Sequence, residues 1–135
     1  ERAIARSFLV SLDMAHGVHP GHADLHEPNH KPRLNGGPVI KEHVEQRYAT
    51  DAETSARFRL ACEAVSVPCQ DFVIRSDLAC GSTIGPISAA GLGVPAVDVG
   101  NAMLSMHSIR EQCGARDVEL MGRVLTHLLT HAGQA

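Results

Sequence analysis

The side chains best equipped for chemistry in this 135-residue chain begin with Asp13 and His16, which follow the short apolar run Phe8-Leu9-Val10. A run of that length suits a buried strand and is too short for a helix. In α/β proteins ligands gather beyond the carboxyl ends of sheet strands, so a carboxylate there is placed to hold a metal or polarise a substrate. Four more histidines, His19, His22, His26 and His30, lie in a segment rich in Pro, Asn and Gly. Their spacing sets no geometry in such a segment, and a self-contained metal site needs ligands converging at fixed distances. Further along stand Lys41, one of only two lysines with Lys31, then the turn Cys80-Gly81-Ser82-Thr83, and His107. Asp13 and His107 offer donors that zinc ordinarily takes, yet two ligands fall short of the three protein ligands of a catalytic zinc. The string His26-Glu27-Pro28-Asn29-His30 has His-Glu-x-x-His spacing, but Pro28 and its aperiodic surroundings deny it the helix on which that motif binds zinc. Ser82 lacks the Gly-x-Ser-x-Gly elbow. Cys80 has Asp77 nearby and no activating base, and the turn lacks the Gly-Lys-Ser/Thr of a phosphate-binding loop. The plain alternatives are a solvated loop with a turn-forming Asp, a helix-capping Ser and an exposed Lys.

The elements that must position these groups follow from pattern. Strands are expected at Phe8–Leu12, at Val39–Lys41 with an extension to Val44, at Phe72–Ile74 and at Val94–Val99. The capping box Thr50-Asp51-Ala52-Glu53 predicts a helix whose stripe is Phe58, Ala61, Cys62 and Val65, stopped at Val67-Pro68. A second, short helix opens at Ser82 or Thr83 with Pro86 in its first turn, and Gly91 and Gly93 end it. A third, capped by Asp117, presents Met121, Val124, Leu125 and Leu128 on one face. Residues 1–6 read as a helix end or linker, and 100–107 as a loop. The stretch from His16 to Asn35 has no periodicity, and loops of such length inside compact domains are usually functional. Strands alternating with helices imply an α/β layer structure with a largely parallel, buried sheet. Parallel strands would bring Asp13 and His16, Asp77 with the Gly81-Ser82 turn, and His107 to one edge.

Composition narrows the function classes. At 44% hydrophobic and 20% charged residues the chain is globular, with aromatics at only 3%, so aliphatic side chains build the core. A formal charge of −3 without a basic run argues against a nucleic-acid footprint or a polybasic membrane patch. No apolar stretch nears the roughly 20 residues of a membrane-spanning helix. Cys62, Cys69, Cys80 and Cys113 lack Cys-x-x-Cys spacing and read as reduced thiols, which points to the cytoplasm. The chain opens on Glu1 rather than Met and soon enters a strand, the form expected of a piece of a longer domain.

The segments SLDMAHGVHP, HEPNHKP, LNGGPVIK, QRYATDAET, CGSTIGP and LSMHSIRE, in this order, resemble the aspartyl aminopeptidase family of zinc metallopeptidases. The resemblance runs from about Phe8 to the end of the chain. It implies a three-layer zinc-exopeptidase-like (phosphorylase/hydrolase-like) α/β fold, with a mostly parallel mixed sheet flanked by helices and only part of the domain present. Residues 1–135 would be the carboxyl-terminal portion of the catalytic domain, without the upstream metal motifs or the inserted dimerisation domain. By the same resemblance, Asp13 is a ligand of one zinc and His107 of another, while His16, Lys41 and Tyr48 contact a peptide substrate. The full-length subunit would carry two zinc ions, other divalent metals being possible, and a general-base Glu outside this chain. It would assemble as a homo-dodecamer and release amino-terminal residues, preferably Asp or Glu. The competing expectation is a non-catalytic truncated fragment, or an assembly or binding module of the same fold.

Overall fold

The computed structural model describes residues 2–131, so Glu1 and residues 132–135 lie outside the description. A short 3-10 turn at Ile4–Arg6 leads into strand β1 (Leu9–Leu12), followed by β2 (Ala15–His16) and a kinked 3-10 segment at Pro20–Leu25. Strand β3 (Val39–Glu42), helix α1 (Ala52–Ala64) and strand β4 (Gln70–Val73) come next. Helix α2 (Ile84–Leu92), strands β5 (Ala96–Gly100), β6 (Ala102–Leu104) and β7 (Gln112–Cys113), and helix α3 (Ala115–Thr130) complete the order.

The main sheet runs β1-β5-β3-β4, and a small second sheet runs β2-β6-β7. β1 pairs with β5 in parallel and so does β3 with β4, but the β3–β5 ladder is antiparallel. The sheet is therefore mixed and mostly parallel, as expected. The expectation that all the polar strand ends share one edge is corrected: β3 and β4 run against β1 and β5. Asp77, beyond β4, instead forms a surface ion pair with Arg75 (2.6 Å), whose guanidinium also reaches the Asp24 carbonyl.

Alternation along the strands sorts the molecule into layers. Ile40, Val97 and Val99 face α1 and α3, where Phe58, Ala61, Cys62, Met121 and Val124 close a fully apolar core. The neighbouring strand residues Val39, Lys41, Phe72 and Asp98 are also buried. Val39 and Phe72 meet Tyr48, Ala15 and Ala102 in a second, smaller cluster under β2 and β6. α2 lies across β5 and β1, with Gly85 against Asp98: a Cβ there would stand 2.2 Å from a carboxylate oxygen.

Several expected boundaries shift for local reasons. The cap of α1 is Asp51, not Thr50; its carboxylate accepts the Thr54 N–H, and the Thr54 hydroxyl answers the Asp51 N–H. β3 ends at Glu42, leaving Val44 in solvent. The fifth strand starts at Ala96 because Pro95 lends only its carbonyl, which takes the Leu9 N–H. Ala102–Leu104 is a strand rather than a loop. Gly114, not Asp117, occupies the cap of α3, and the fully buried Asp117 carboxylate accepts the Asn35 and Gly37 N–H groups (2.7 and 2.9 Å). That clasp fixes the far end of the histidine-rich segment where it enters β3.

Candidate active site

β1 delivers its carboxyl end directly over β5. The Asp13 N–H donates to the Val99 carbonyl, and the Asp13 carbonyl passes so close to Gly100 that a Cβ there would lie 1.6 Å from it. Only glycine permits this crossing. It leaves the Asp13 side chain exposed, with one carboxylate oxygen accepting the Met14 N–H at 2.7 Å and the other without a protein partner among the described residues. β2 then carries His16 alongside Met103 of β6.

β6 runs on to His107. Ser105 and His107 both adopt left-handed backbone (φ +56° and +68°), and the His107 N–H donates to the Glu111 carboxylate. This tight turn, which a histidine tolerates better than a branched residue, holds an exposed imidazole whose ring has no hydrogen-bond partner among the described residues. Burial, the nearby His107 and then Lys41 hold the His16 imidazole below its ordinary range, so it is favoured neutral. The His16 ring rests 6.0 Å from Phe72, and His26 approaches the same ring at 6.5 Å.

Lys41 lies beneath this surface. The plain expectation of a solvated lysine fails: it is only 2% exposed. Its Nζ donates to the Met14 carbonyl at 3.3 Å and sits 5.3 Å from the centre of the Tyr48 ring. Burial holds the ammonium pKa below the usual lysine value, against the pull of the Asp13 and Asp98 charges. Tyr48, also buried, meets Phe72 edge-on at 6.4 Å, and burial, with the neighbouring Cys80 thiol, pushes its phenol up. The structure thus gathers His16, His107, Lys41 and Tyr48 around the Asp13 crossing.

The remaining sequence candidates do other work. The Ser82 hydroxyl donates to the Arg47 carbonyl, and Cys80 packs on Tyr48. His19 accepts a local N–H from Gly21, and His30 pairs with Glu27. Sequence reading missed Asp98 and Glu111, and gave His26 no place apart from the other histidines of its segment. A lone acid inside the run Ala96-Val97-Asp98-Val99 was the available signal for Asp98, since carboxylates seldom lie buried unless paired. The cluster has the donor types for a divalent metal, a free carboxylate oxygen and a free imidazole. Among the described residues no three His, Cys, Asp or Glu side chains converge on one point.

Comparison with known proteins agrees with this architecture. The family model Aminopeptidase I zinc metalloprotease (M18) matches residues 1–128. The probable M18 family aminopeptidase 2 of Pseudomonas entomophila is 58% identical over 125 residues, covering 93% of this chain and 29% of the relative. Among solved structures, a chain in the cryo-EM structure of the Ape4 and Nbr1 complex superimposes with a TM-score of 0.93 at 43% identity. It covers 95% of this chain and 24% of that one. The S. cerevesiae mApe1 dodecamer gives a TM-score of 0.83 at 31% identity over 94% of this chain and 27% of that one. The chain therefore spans under a third of the length of the curated relatives it matches. By sequence and by fold, this chain belongs to the M18 family of zinc metalloproteases.

Proposed function

We propose that these residues are the carboxyl-terminal portion of the catalytic domain of a dinuclear zinc aminopeptidase. In this reading Asp13 ligates one zinc and His107 the other, and the remaining ligands and the general-base Glu come from elsewhere in the full-length subunit. When bound, such a metal pair supplies an activated water and polarises the scissile carbonyl. The observation that carries the reading is the buried Lys41 ammonium. Of its three N–H donors, one is directed to Met14. The others are left for an anion, and an acidic side chain on the first residue of a peptide is the natural guest. Tyr48 shapes the pocket floor, and a neutral His16 can exchange a single hydrogen bond with the same residue. The parent would be a cytoplasmic homo-oligomer, a dodecamer by analogy with the matching mApe1 assembly. Its partner is a peptide rather than nucleic acid or membrane. Among the described residues no helix is long and apolar enough to cross a membrane.

The second reading, a non-catalytic fragment or assembly module, is favoured by the short coverage of the relatives. Intact mass of the native protein, with turnover of Asp-, Glu- and Leu-initiated peptides, separates the two. A chain of several hundred residues that releases amino-terminal residues and stops on chelation is expected. A native 14.4 kDa chain without turnover would establish the second reading. Purified residues 1–135 should be inactive even with added zinc, manganese or cobalt. Metal-dependent release by that piece alone would overturn the ligand assignment.

A further inference from the structure

We propose that Asp98 is the positioning residue of the Lys41–Tyr48 pocket: its buried carboxylate clasps the segment bearing Tyr48 and supplies the fixed negative charge behind the Lys41 ammonium. The inference rests on the reading of Lys41 as the group that meets an acidic substrate side chain.

Asp98 is wholly buried in the middle of β5. One carboxylate oxygen accepts the Ala49 N–H at 2.6 Å, and the other accepts the Thr83 hydroxyl at 2.7 Å. Its own N–H donates to the Thr50 hydroxyl at 2.9 Å. The two residues that follow Tyr48 are therefore both tied to Asp98, and the Arg47 carbonyl just before it accepts the Ser82 hydroxyl. Tyr48 is held from both sides by one acid and the start of α2. Gly85 leaves the room in which that acid sits. The second function is electrostatic. Asp98 acts on Lys41 as an attractive charge, and the two are buried together where screening by water is weak. Both oxygens of the Asp98 carboxylate are taken by neutral donors. It can steady a cation without a direct salt bridge that would occupy the donors a substrate needs.

A purely structural acid would behave like Asp117, which is equally buried and whose carboxylate accepts two backbone N–H groups, those of Asn35 and Gly37, and none from the segment bearing Tyr48. Asp117→Asn is therefore the control. In the full-length, zinc-loaded protein, Asp98→Asn should lower the ratio of kcat/KM on Glu-initiated over Leu-initiated peptides about tenfold, mainly through KM. Asp117→Asn should leave that ratio within about twofold while lowering Tm. With 3-fluorotyrosine placed at position 48, the fluorine resonance should move in Asp98→Asn and stay in Asp117→Asn. If Asp98→Asn does not fold, Thr83→Val removes one of its two donors and should shift the ratio about threefold in the same direction. An unmoved resonance together with equal losses on both peptides would overturn the proposal. A moved resonance in a parent that shows no acidic preference would keep Asp98 as the clasp of Tyr48 and remove the specificity reading instead.

Discussion

The two faces of the main sheet are built from alternate residues of the same strands, and they are made for different ends. On the α1/α3 side, Ile40, Val97 and Val99 meet only apolar partners. On the other side, the intervening positions bury Lys41 and Asp98 beside Tyr48 and Phe72. The first face gains free energy from apolar area removed from water, roughly 25 cal/mol per Å2. The second spends part of that gain by desolvating an ammonium and a carboxylate, a cost that hydrogen bonds and mutual attraction only partly offset. A period of two in a strand thus lets one sheet carry stability on one side and a charged pocket on the other. If that division holds, substitutions on the two faces should separate stability from activity.

The largest effect on the stabilising face is expected from Phe58→Ala. This side chain is wholly buried at the centre of the apolar cluster. Its truncation should cost about 3–5 kcal/mol in a denaturant titration of the full-length protein. Selectivity between acidic and neutral peptides should not change in whatever fraction stays folded. On the other face, Lys41→Met keeps the length and removes the charge. It should cost about 1.5–3 kcal/mol in kcat/KM on Asp- or Glu-initiated peptides, with smaller losses on neutral ones. Removing the ammonium also leaves the buried Asp98 carboxylate without its cation, which itself destabilises, so the mark of this variant is the unequal loss between peptide classes, which Phe58→Ala should not show. Equal losses on both peptide classes would show that Lys41 does not read substrate charge.

The smallest effect concerns the entry to α1. Asp51→Ala removes the capping carboxylate and should cost about 1 kcal/mol. The hydrogen bond from the Thr54 N–H holds the Asp51 pKa below the usual carboxylate value. A depressed folded pKa means that the unfolded chain takes up the proton first. The cap's charge-dependent contribution is therefore present above the unfolded pKa and is lost as pH falls through the folded one. The difference in Tm between wild type and Asp51→Ala should accordingly narrow below about pH 4. A difference that is flat with pH would show that the cap acts without its charge.

Legibility in the sequence followed the same division. The stripe Phe58, Ala61 and Cys62 and the face Met121 and Val124 gave α1, α3 and the apolar core, because a helix period repeats over many residues. The small sheet was hidden: β2 and β7 have two residues each, too few for any alternation, and exist only because β6 lies between them. Sheet direction was also out of reach, since nothing local to β3 says that it runs against β5. At the site, the positions of Asp13 and His107 after strands were readable, whereas the burial of Lys41 was not. A lysine in Val39-Ile40-Lys41 reads as the solvent side of an edge, and only the layer formed by β2 and β6 makes that side an interior. Asp98 and Thr50 were likewise assigned by pattern to a strand and a cap, while their shared hydrogen bond links residues 48 apart.

The central claim is that Asp13 and His107 each hold a different metal ion of one site completed by the rest of the subunit. Zinc measured per subunit by plasma mass spectrometry, on the full-length protein and on Asp13→Asn and His107→Ala, tests it most directly. The account predicts two zinc ions in the wild type, and in each folded variant a shortfall of at least one together with loss of turnover. A variant that keeps two zinc ions per subunit and near-normal turnover would contradict it and remove that residue from the metal centre.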